Sequence, residues 1–284
     1  MDGSGTFGSG IEYSEFVDLN ALGAVVTKGV ANVPWEGNPV PRIAETPSGM
    51  MNAIGLQNPG IDVFIERDLK FLEDYDTNVI VNVCGHTEEE YIEVVKRLNG
   101  QSRVQMLEIN VSCPNVKAGG IAFGTDPSQL EKITALCKKN ADKPVIMKLS
   151  PNVTSISEMA RAAEAGGADA ISLINTLTAM KIDIYKRKFA IANRTGGLSG
   201  PAIRPVAVRM VYEASHAVKI PVIGMGGITS GEDAIEFMMA GASAVAVGMY
   251  NFHDPAAMIH VIEEMERFCS GTGIKDINEI VGCV

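Results

Sequence analysis

The sequence contains no apolar run close to the roughly 18 residues that a membrane-spanning helix requires. Its first six residues (MDGSGT) have neither the basic region nor the apolar core of an export signal. Basic residues are also scarce, since 24 Lys and Arg stand against 34 Asp and Glu, a net charge of −10 at pH 7. That charge disfavours nucleic acid and anionic membranes as general partners. These deficits predict a cytoplasmic protein that binds neither membranes nor nucleic acid.

Disulfide and metal-ligand patterns are absent as well. The cysteines are odd in number, widely spaced and without a C-x-x-C pair, so they predict neither a disulfide framework nor a zinc or iron–sulfur site; they are Cys84, Cys113, Cys137, Cys269 and Cys283. The histidines show no ligand spacing either; they are His86, His216, His253 and His260. We therefore expect no metal site.

The sequence does contain an alternation of short apolar runs with helical patterns. The runs are nearly continuous, as in strands buried on both faces, and they occupy residues 24–27, 79–83, 106–111, 145–149, 170–174, 221–225 and 244–247. Helices are predicted to begin after the capping residues Thr87, Ser155 and Ser230. This alternation predicts a parallel sheet.

The length and the strand count predict a (β/α)8 TIM barrel built from a single domain, residues 1–284. Only seven strands are visible, and the eighth should stand first. Residues 1–10 are rich in glycine and serine and resemble a loop that follows a strand. We therefore expect a barrel that lacks its N-terminal first strand. Such a barrel would have two unpaired edges and a site short of one wall.

The predicted strand ends, where barrel enzymes place their sites, carry amides, lysines and glycines. They are Lys28-Gly29, Asn82, Asn110, Lys148, Asn175-Thr176, Gly226-Gly227 and Gly248. Glycines after the last two strands suit a phosphate, which implies a phosphorylated substrate or flavin mononucleotide (FMN), although tight turns are the alternative. Lys148 favours the flavin, because a cation suits the negative charge of a reduced isoalloxazine ring. A lysine that merely reaches solvent is the alternative.

Two further segments could carry chemistry. Residues 107–115 (LEINVSCPN) place Cys113 at the polar end of a strand that Pro114 terminates. This thiol is either reactive or an inert small apolar group, and the local sequence leaves both open. Residues 52–58 (NAIGLQN) offer paired amides, which suit a planar ring with alternating carbonyl and N–H groups, although an asparagine-rich turn is the alternative.

Eight short segments of the chain, taken in the order in which they occur, resemble those of a known family. They are SGTFG (4–8), TKG (27–29), NAIGLQNPG (52–60), NVSCPN (110–115), KLSP (148–151), NT (175–176), TGGLSGP (195–201) and GMGG (224–227). Together they resemble the catalytic subunits of class 1B dihydroorotate dehydrogenases. The cysteine at position 113 resembles the cysteine of the class 1 enzymes. The segment NAIGLQN is more similar to the corresponding segment of the NAD-linked 1B enzymes than to that of the fumarate-linked 1A enzymes.

The resemblance implies oxidation of (S)-dihydroorotate to orotate in pyrimidine (UMP) biosynthesis, with FMN as the first electron acceptor. Cys113 would remove the C5 proton while a hydride leaves C6. Because the thiolate is the active form and a free thiol titrates near about 8.5, activity should rise with pH. FMN would contact Ser4, Lys28, Gly29, Asn82, Asn110, Lys148, Ile174, Gly200, Gly226, Gly227, Gly248 and Met249. The pyrimidine would be surrounded by Lys28, Asn52, Ala53, Ile54, Gly55, Leu56, Asn110, Asn175 and Thr176.

The resemblance also implies a partner subunit that carries FAD and a [2Fe–2S] cluster and passes electrons to NAD. The complex would be a heterotetramer built on a homodimer of this chain. Two departures from the family accompany the resemblance: Met249 stands where many relatives have threonine, and the first strand is missing. Within the enzymes, a fumarate-linked class 1A dehydrogenase is the alternative, and the missing strand leaves a non-catalytic truncated remnant as an alternative of another class.

Overall fold

The structure is a computed structural model that describes residues 1–111 and 120–284. Within these ranges the strands, numbered along the chain, are β1 (Ala24–Val26), β2 (Ile43–Thr46), β3 (Gly49–Asn52), β4 (Asn78–Val83), β5 (Met106–Asn110), β6 (Val145–Lys148), β7 (Ala170–Leu173), β8 (Leu177–Met180), β9 (Ile182–Asp183), β10 (Lys188–Phe189), β11 (Thr195–Ser199), β12 (Val222–Met225) and β13 (Ala244–Ala246). Seven of them form one curled parallel sheet in the order β1-β4-β5-β6-β7-β12-β13. The parallel sheet and all seven predicted strands are confirmed.

Helices lie between most of the parallel strands. They are α1 (Ile61–Val63), α2 (Lys70–Leu72), α3 (Glu88–Asn99), α4 (Gly120–Thr125), α5 (Pro127–Asn140), α6 (Ile156–Ala165), α7 (Arg204–Ser215), α8 (Gly231–Met239) and α9 (Ala257–Thr272), with a π-helical turn Phe64–Leu69 between α1 and α2. The predicted caps of α3, α6 and α8 are confirmed, since the hydroxyls of Thr87, Ser155 and Ser230 each accept a backbone N–H three residues on. Within the described ranges no helix is long and apolar enough to cross a membrane.

The sheet curls so that one face forms the barrel interior, and this interior has two layers. An apolar layer contains Val26, Ile80, Ile146 and Met225 among other side chains. Because side chains alternate along a strand, residues two positions further on point to the same face. Asn82 and Lys148 therefore form part of a second, polar layer nearer the carboxyl ends. The larger apolar core fills the space between the sheet and the surrounding helices.

Residues 1–3 lie in the gap between β13 and β1. The backbone N–H of Val247 donates to the Met1 carbonyl (3.0 Å), and the Gly3 N–H donates to the Val247 carbonyl (2.7 Å). On the other side, the Asp2 carboxylate accepts the backbone N–H of Val26 at 2.7 Å. The described residues thus form no eighth strand, in agreement with the sequence. Yet both edges that were expected to be unpaired have a partner at this level of the barrel, so that expectation is wrong in part.

A second sheet of four antiparallel strands, in the order β2-β3-β11-β8, adds residues at the carboxyl ends of the barrel strands. The sequence predicted a loop from Asn52 onward, but Asn52 ends β3 and pairs with Gly197 of β11 and Ile43 of β2. The four strands are short and half-exposed, so they carry no continuous apolar run. That is why the sequence did not reveal them.

Candidate active site

A cavity of about 1200 Å³, measured out to its open mouth, lies at the carboxyl ends of the barrel strands. Its wall includes residues 3–6, so the N-terminal segment supplies part of the wall that was expected to be missing. Most predicted site residues line this cavity: Ser4, Lys28, Gly29, Asn52, Ile54, Gly55, Leu56, Asn110, Lys148, Ile174, Asn175, Thr176, Gly200, Gly226, Gly227, Gly248 and Met249. Residues more than 240 positions apart in the chain thus meet in one place, although their individual roles stay predictions.

Two predicted site residues that the structure describes do not line it. Asn82 is fully buried below the cavity, where its amide donates to Glu108 (2.6 Å) and accepts from Asn110 (3.3 Å). Ala53 is buried in a small apolar cluster with Met51. Cys113 lies outside the described residues. Its role as the base therefore stays a prediction of the sequence.

Glycines form one wall of the cavity and expose its backbone. Gly226 and Gly227 have φ values of +136° and +79°, a conformation that favours glycine. A Cβ on Gly227 would lie 2.7 Å from the carbonyl oxygen of Gly200. Gly248 precedes the 3-10 turn Met249–Phe252, which has no side-chain cap, so the backbone N–H groups at its start have no side-chain acceptor. The turn after Gly200 begins with Pro201, which has no N–H, and the Ala202 N–H donates to the Ser48 carbonyl. Bare backbone with such donors suits the oxygens of a phosphate.

Two lysines bring positive charge to the cavity of a chain that is acidic overall. Lys148 is only 5% exposed, and its ammonium Nζ lies 3.5 Å from the Glu108 carboxylate. Lys28 is half-buried at the end of β1. A local positive charge with little solvent around it attracts an anionic ligand more strongly than the same charge on an exposed surface. The cavity is therefore suited to anions.

Amide side chains supply neutral donors and acceptors around the same space. Asn52, Asn110 and Asn175 all line it. The side-chain oxygen Oδ1 of Asn175 accepts the backbone N–H of Thr176 (2.8 Å), and this hydrogen bond orients the Asn175 amide. The Thr176 side chain occupies the space where a Cβ on Gly197 would stand, so the glycine of β11 lets it pack there. Oriented amides of this kind can hydrogen-bond the carbonyl and N–H groups of a planar ring.

The sequence reasoning missed Glu108, the residue that connects Asn82 and Lys148. Its carboxylate is 2% exposed in the middle of β5. A signal was available, because an acid inside an apolar strand must be paired when it is buried. Lys148 stands in another apolar strand and was the natural partner. Several apolar residues that line the cavity were missed as well, among them Met50, Ile203, Met225 and Phe252.

Fold and site together define a barrel protein of the (β/α)8 type with its ligand cavity at the carboxyl ends of the strands. A sequence model of the dihydroorotate dehydrogenase family matches residues 1–269. The protein of Lachnoclostridium phytofermentans named "dihydroorotate dehydrogenase B (NAD(+)), catalytic subunit" is 66% identical over 281 residues, which are 99% of this chain and 93% of that protein. A protein of the same name from Geobacter sp. (strain M21) is 54% identical over 284 residues, 100% of this chain and 93% of that protein.

Among solved structures, the chain is similar to DHODH of Eimeria tenella in its complex with ferulenol. The TM-score is 0.78 at 23% identity, over 92% of this chain and 78% of that one. At this identity the likeness supports the fold alone. The family match and the close relatives carry the further step: this chain belongs to the dihydroorotate dehydrogenase family.

Proposed function

We propose that this chain is the catalytic subunit of an NAD-linked dihydroorotate dehydrogenase, which oxidises (S)-dihydroorotate to orotate in pyrimidine biosynthesis. One observation carries the proposal: the cavity brings together two lysines, three asparagines and a glycine wall at the strand ends. The names of the close relatives agree with this reaction and with NAD as the final acceptor. The class 1A reading has less support, because the names of these relatives give NAD rather than fumarate.

FMN fits the residues that are present. Its phosphate would lie against the glycine wall of Gly200, Gly226, Gly227 and Gly248, where a Cβ on three of them would meet protein atoms within 3 Å. Met249 would contribute its backbone N–H. Lys148 would face the negative charge of the reduced ring system, and Ser4, Gly29 and Ile174 would complete the wall. When bound, FMN supplies the hydride-accepting chemistry that no amino acid side chain provides.

The chain's own residues would bind and orient the substrate. Dihydroorotate carries a carboxylate, which suits the Lys28 ammonium. The amides of Asn52 and Asn175 would hydrogen-bond the carbonyl and N–H groups of the ring and so fix which ring face is presented. The Sγ of Cys113 would take the proton from C5. The roles of Lys28, Asn52 and Asn175 rest on the resemblance together with their positions in the cavity, and the role of Cys113 rests on the resemblance alone.

The proposal extends to the setting of the enzyme. The relatives' designation as catalytic subunits supports a second subunit, and we assign to that subunit FAD and the [2Fe–2S] cluster. The complex would be a heterotetramer around a homodimer of this chain. Residues 1–284 would act as a single FMN-binding domain in the cytoplasm. Co-expression with the partner, followed by measurement of mass and cofactor content, tests this assembly.

The reaction is tested with purified protein under anaerobic conditions. The protein should be yellow, and its flavin absorbance near 450 nm should bleach when dihydroorotate is added. NADH should form only when the partner subunit is present. Rapid reduction of fumarate by this chain alone would favour the class 1A alternative instead. Colourless protein that cannot take up added FMN would support the non-catalytic remnant and contradict the proposal.

The base is tested with a pair of cysteine variants. Cys113→Ala should lower the rate of flavin reduction by a factor of about 10² to 10⁴, the usual contribution of a general base. Cys283→Ala is the matched control, because this thiol is exposed and does not line the cavity. Equal rates in the two variants would exclude Cys113 as the base.

A further inference from the structure

The polar layer beneath the cavity is centred on one acid, Glu108 of β5. Its two carboxylate oxygens contact three side chains from three different strands. Oε1 accepts the Asn82 amide at 2.6 Å and lies 3.5 Å from Nζ of Lys148. Oε2 accepts the Ser172 hydroxyl at 2.7 Å. All four residues are at most 5% exposed, so water does not compete for these contacts.

The strand register explains why these groups meet. Asn82 of β4 stands opposite Glu108 of β5, and Lys148 of β6 stands opposite Ser172 of β7. All four side chains face the barrel interior, between the apolar layer and the cavity. Glu108 is therefore tied to neighbours on both sides, and the four residues form one layer across the barrel.

Stability alone does not account for this acid. Replacing a buried ion pair by apolar groups of similar volume is often neutral or stabilising, because both charges lose their hydration when they are buried. Glu108 does not line the cavity, whereas its partner Lys148 does. The ion pair therefore acts on the cavity through Lys148.

Glu108 also decides the orientation of two amides. The Asn82 amide nitrogen donates to Glu108, which turns the Asn82 oxygen toward Asn110. Asn110 in turn donates its own amide nitrogen to that oxygen at 3.3 Å. Because Glu108 can only accept, both hydrogen bonds of this series run the same way, from Asn110 to Asn82 and from Asn82 to Glu108.

We propose that Glu108 is a positioning residue for the flavin site, which holds the Lys148 ammonium in place and offsets part of its charge toward the bound cofactor. The inference rests on the proposed function, because it assigns FMN to the cavity. A reduced flavin is anionic, so the positive charge that it meets sets how easily it is reduced. Removing the carboxylate charge should leave more positive charge beneath the cofactor and favour the reduced form.

The test measures the midpoint potential of FMN bound to the full chain at pH 7, together with the dissociation constant of FMN. Glu108→Gln keeps the size and an acceptor oxygen but removes the charge. We expect its potential to become more positive, by the equivalent of at least a threefold change in the ratio of reduced to oxidised flavin. Glu108→Asp keeps the charge and should stay within threefold of the wild type. Ser172→Ala removes a hydrogen bond from the same carboxylate without changing any charge, and it should also stay within threefold.

A second background separates a role through Lys148 from a general structural role. In Lys148→Met protein, the added Glu108→Gln change should alter the potential by less than threefold, because a buried carboxylate that has lost its cation is neutralised by a proton, so the exchange then removes no charge. A shift below threefold in Glu108→Gln alone, a more negative potential, or an equal shift in the Lys148→Met background would overturn the proposal. If Glu108→Gln alone does not fold, the potential of Lys148→Met is compared with that of the wild type: it should be more negative by the equivalent of at least threefold, and an unchanged potential would overturn the proposal, because the charge that Glu108 is said to offset would then have no effect on the flavin. Failure of the wild type to bind FMN would instead contradict the proposed function.

Discussion

Replacing Gly226 by alanine should destabilise the protein strongly, and the structure supplies both reasons. The first is the backbone, since φ is +136° and an L-residue in such a region costs about 1–3 kcal/mol. The second is crowding, since the new Cβ would lie 2.7 Å from the Cβ of Ala207 on α7. Overpacking of this kind costs about 1–3 kcal/mol. We therefore expect a loss of about 2–6 kcal/mol, a large part of the usual net stability of about 5–15 kcal/mol.

Urea denaturation without added FMN measures this loss, and Gly167→Ala is the matched control. Gly167 also has a positive φ (+89°), but the nearest atom to its new Cβ is Lys138 Cγ at 3.5 Å, so only the backbone cost applies. In the Gly226→Ala protein, Ala207→Gly should recover at least about 1 kcal/mol relative to its effect in the wild type, because it removes the opposing methyl group. Equal losses in the two single variants, or no coupling with position 207, would refute the reasoning.

Burial raises the pKa of the Cys137 thiol to about 12. This cysteine should therefore resist modification by Ellman's reagent in native protein at pH 8, while the exposed Cys283 reacts. Rapid labelling of Cys137 would contradict this prediction. Burial also raises the pKa of the Asp2 carboxyl from 3.8 to about 7, so the folded state keeps a proton that the unfolded state releases. Stability should fall as pH rises from about 4 to about 7, by at most about 1.4 kcal/mol per unit, and denaturation of Asp2→Asn across that range should lack this slope. Tyr91→Phe removes a 2.7 Å hydrogen bond to the Asn110 carbonyl and should cost about 1 kcal/mol in the same assay, so an unchanged stability would exclude that bond as a contributor.

Much of the barrel was readable from local pattern. Strands buried on both faces contain near-continuous apolar runs, and helices begin after capping residues. Both signals lie within a few neighbouring positions of the sequence. The antiparallel strands β2, β3, β8 and β11 were missed because half-exposed strands of four or five residues carry no such run. Met1 to Gly3 were read as part of a loop, yet their backbone pairs with Val247, a contact that only the curled sheet creates.

The sequence by itself determined the barrel class, the family and most of the residues that line the cavity, because strand ends in a parallel barrel converge whatever the details of packing. Only the tertiary structure decided how those residues are held. Lys148 was visible as an unusual cation in an apolar strand, but its partner Glu108 lies 40 positions earlier in the chain. No local pattern relates two such positions. They meet because the register of neighbouring strands and the alternation of side chains bring both into one buried layer, where a charge is stable only with a partner.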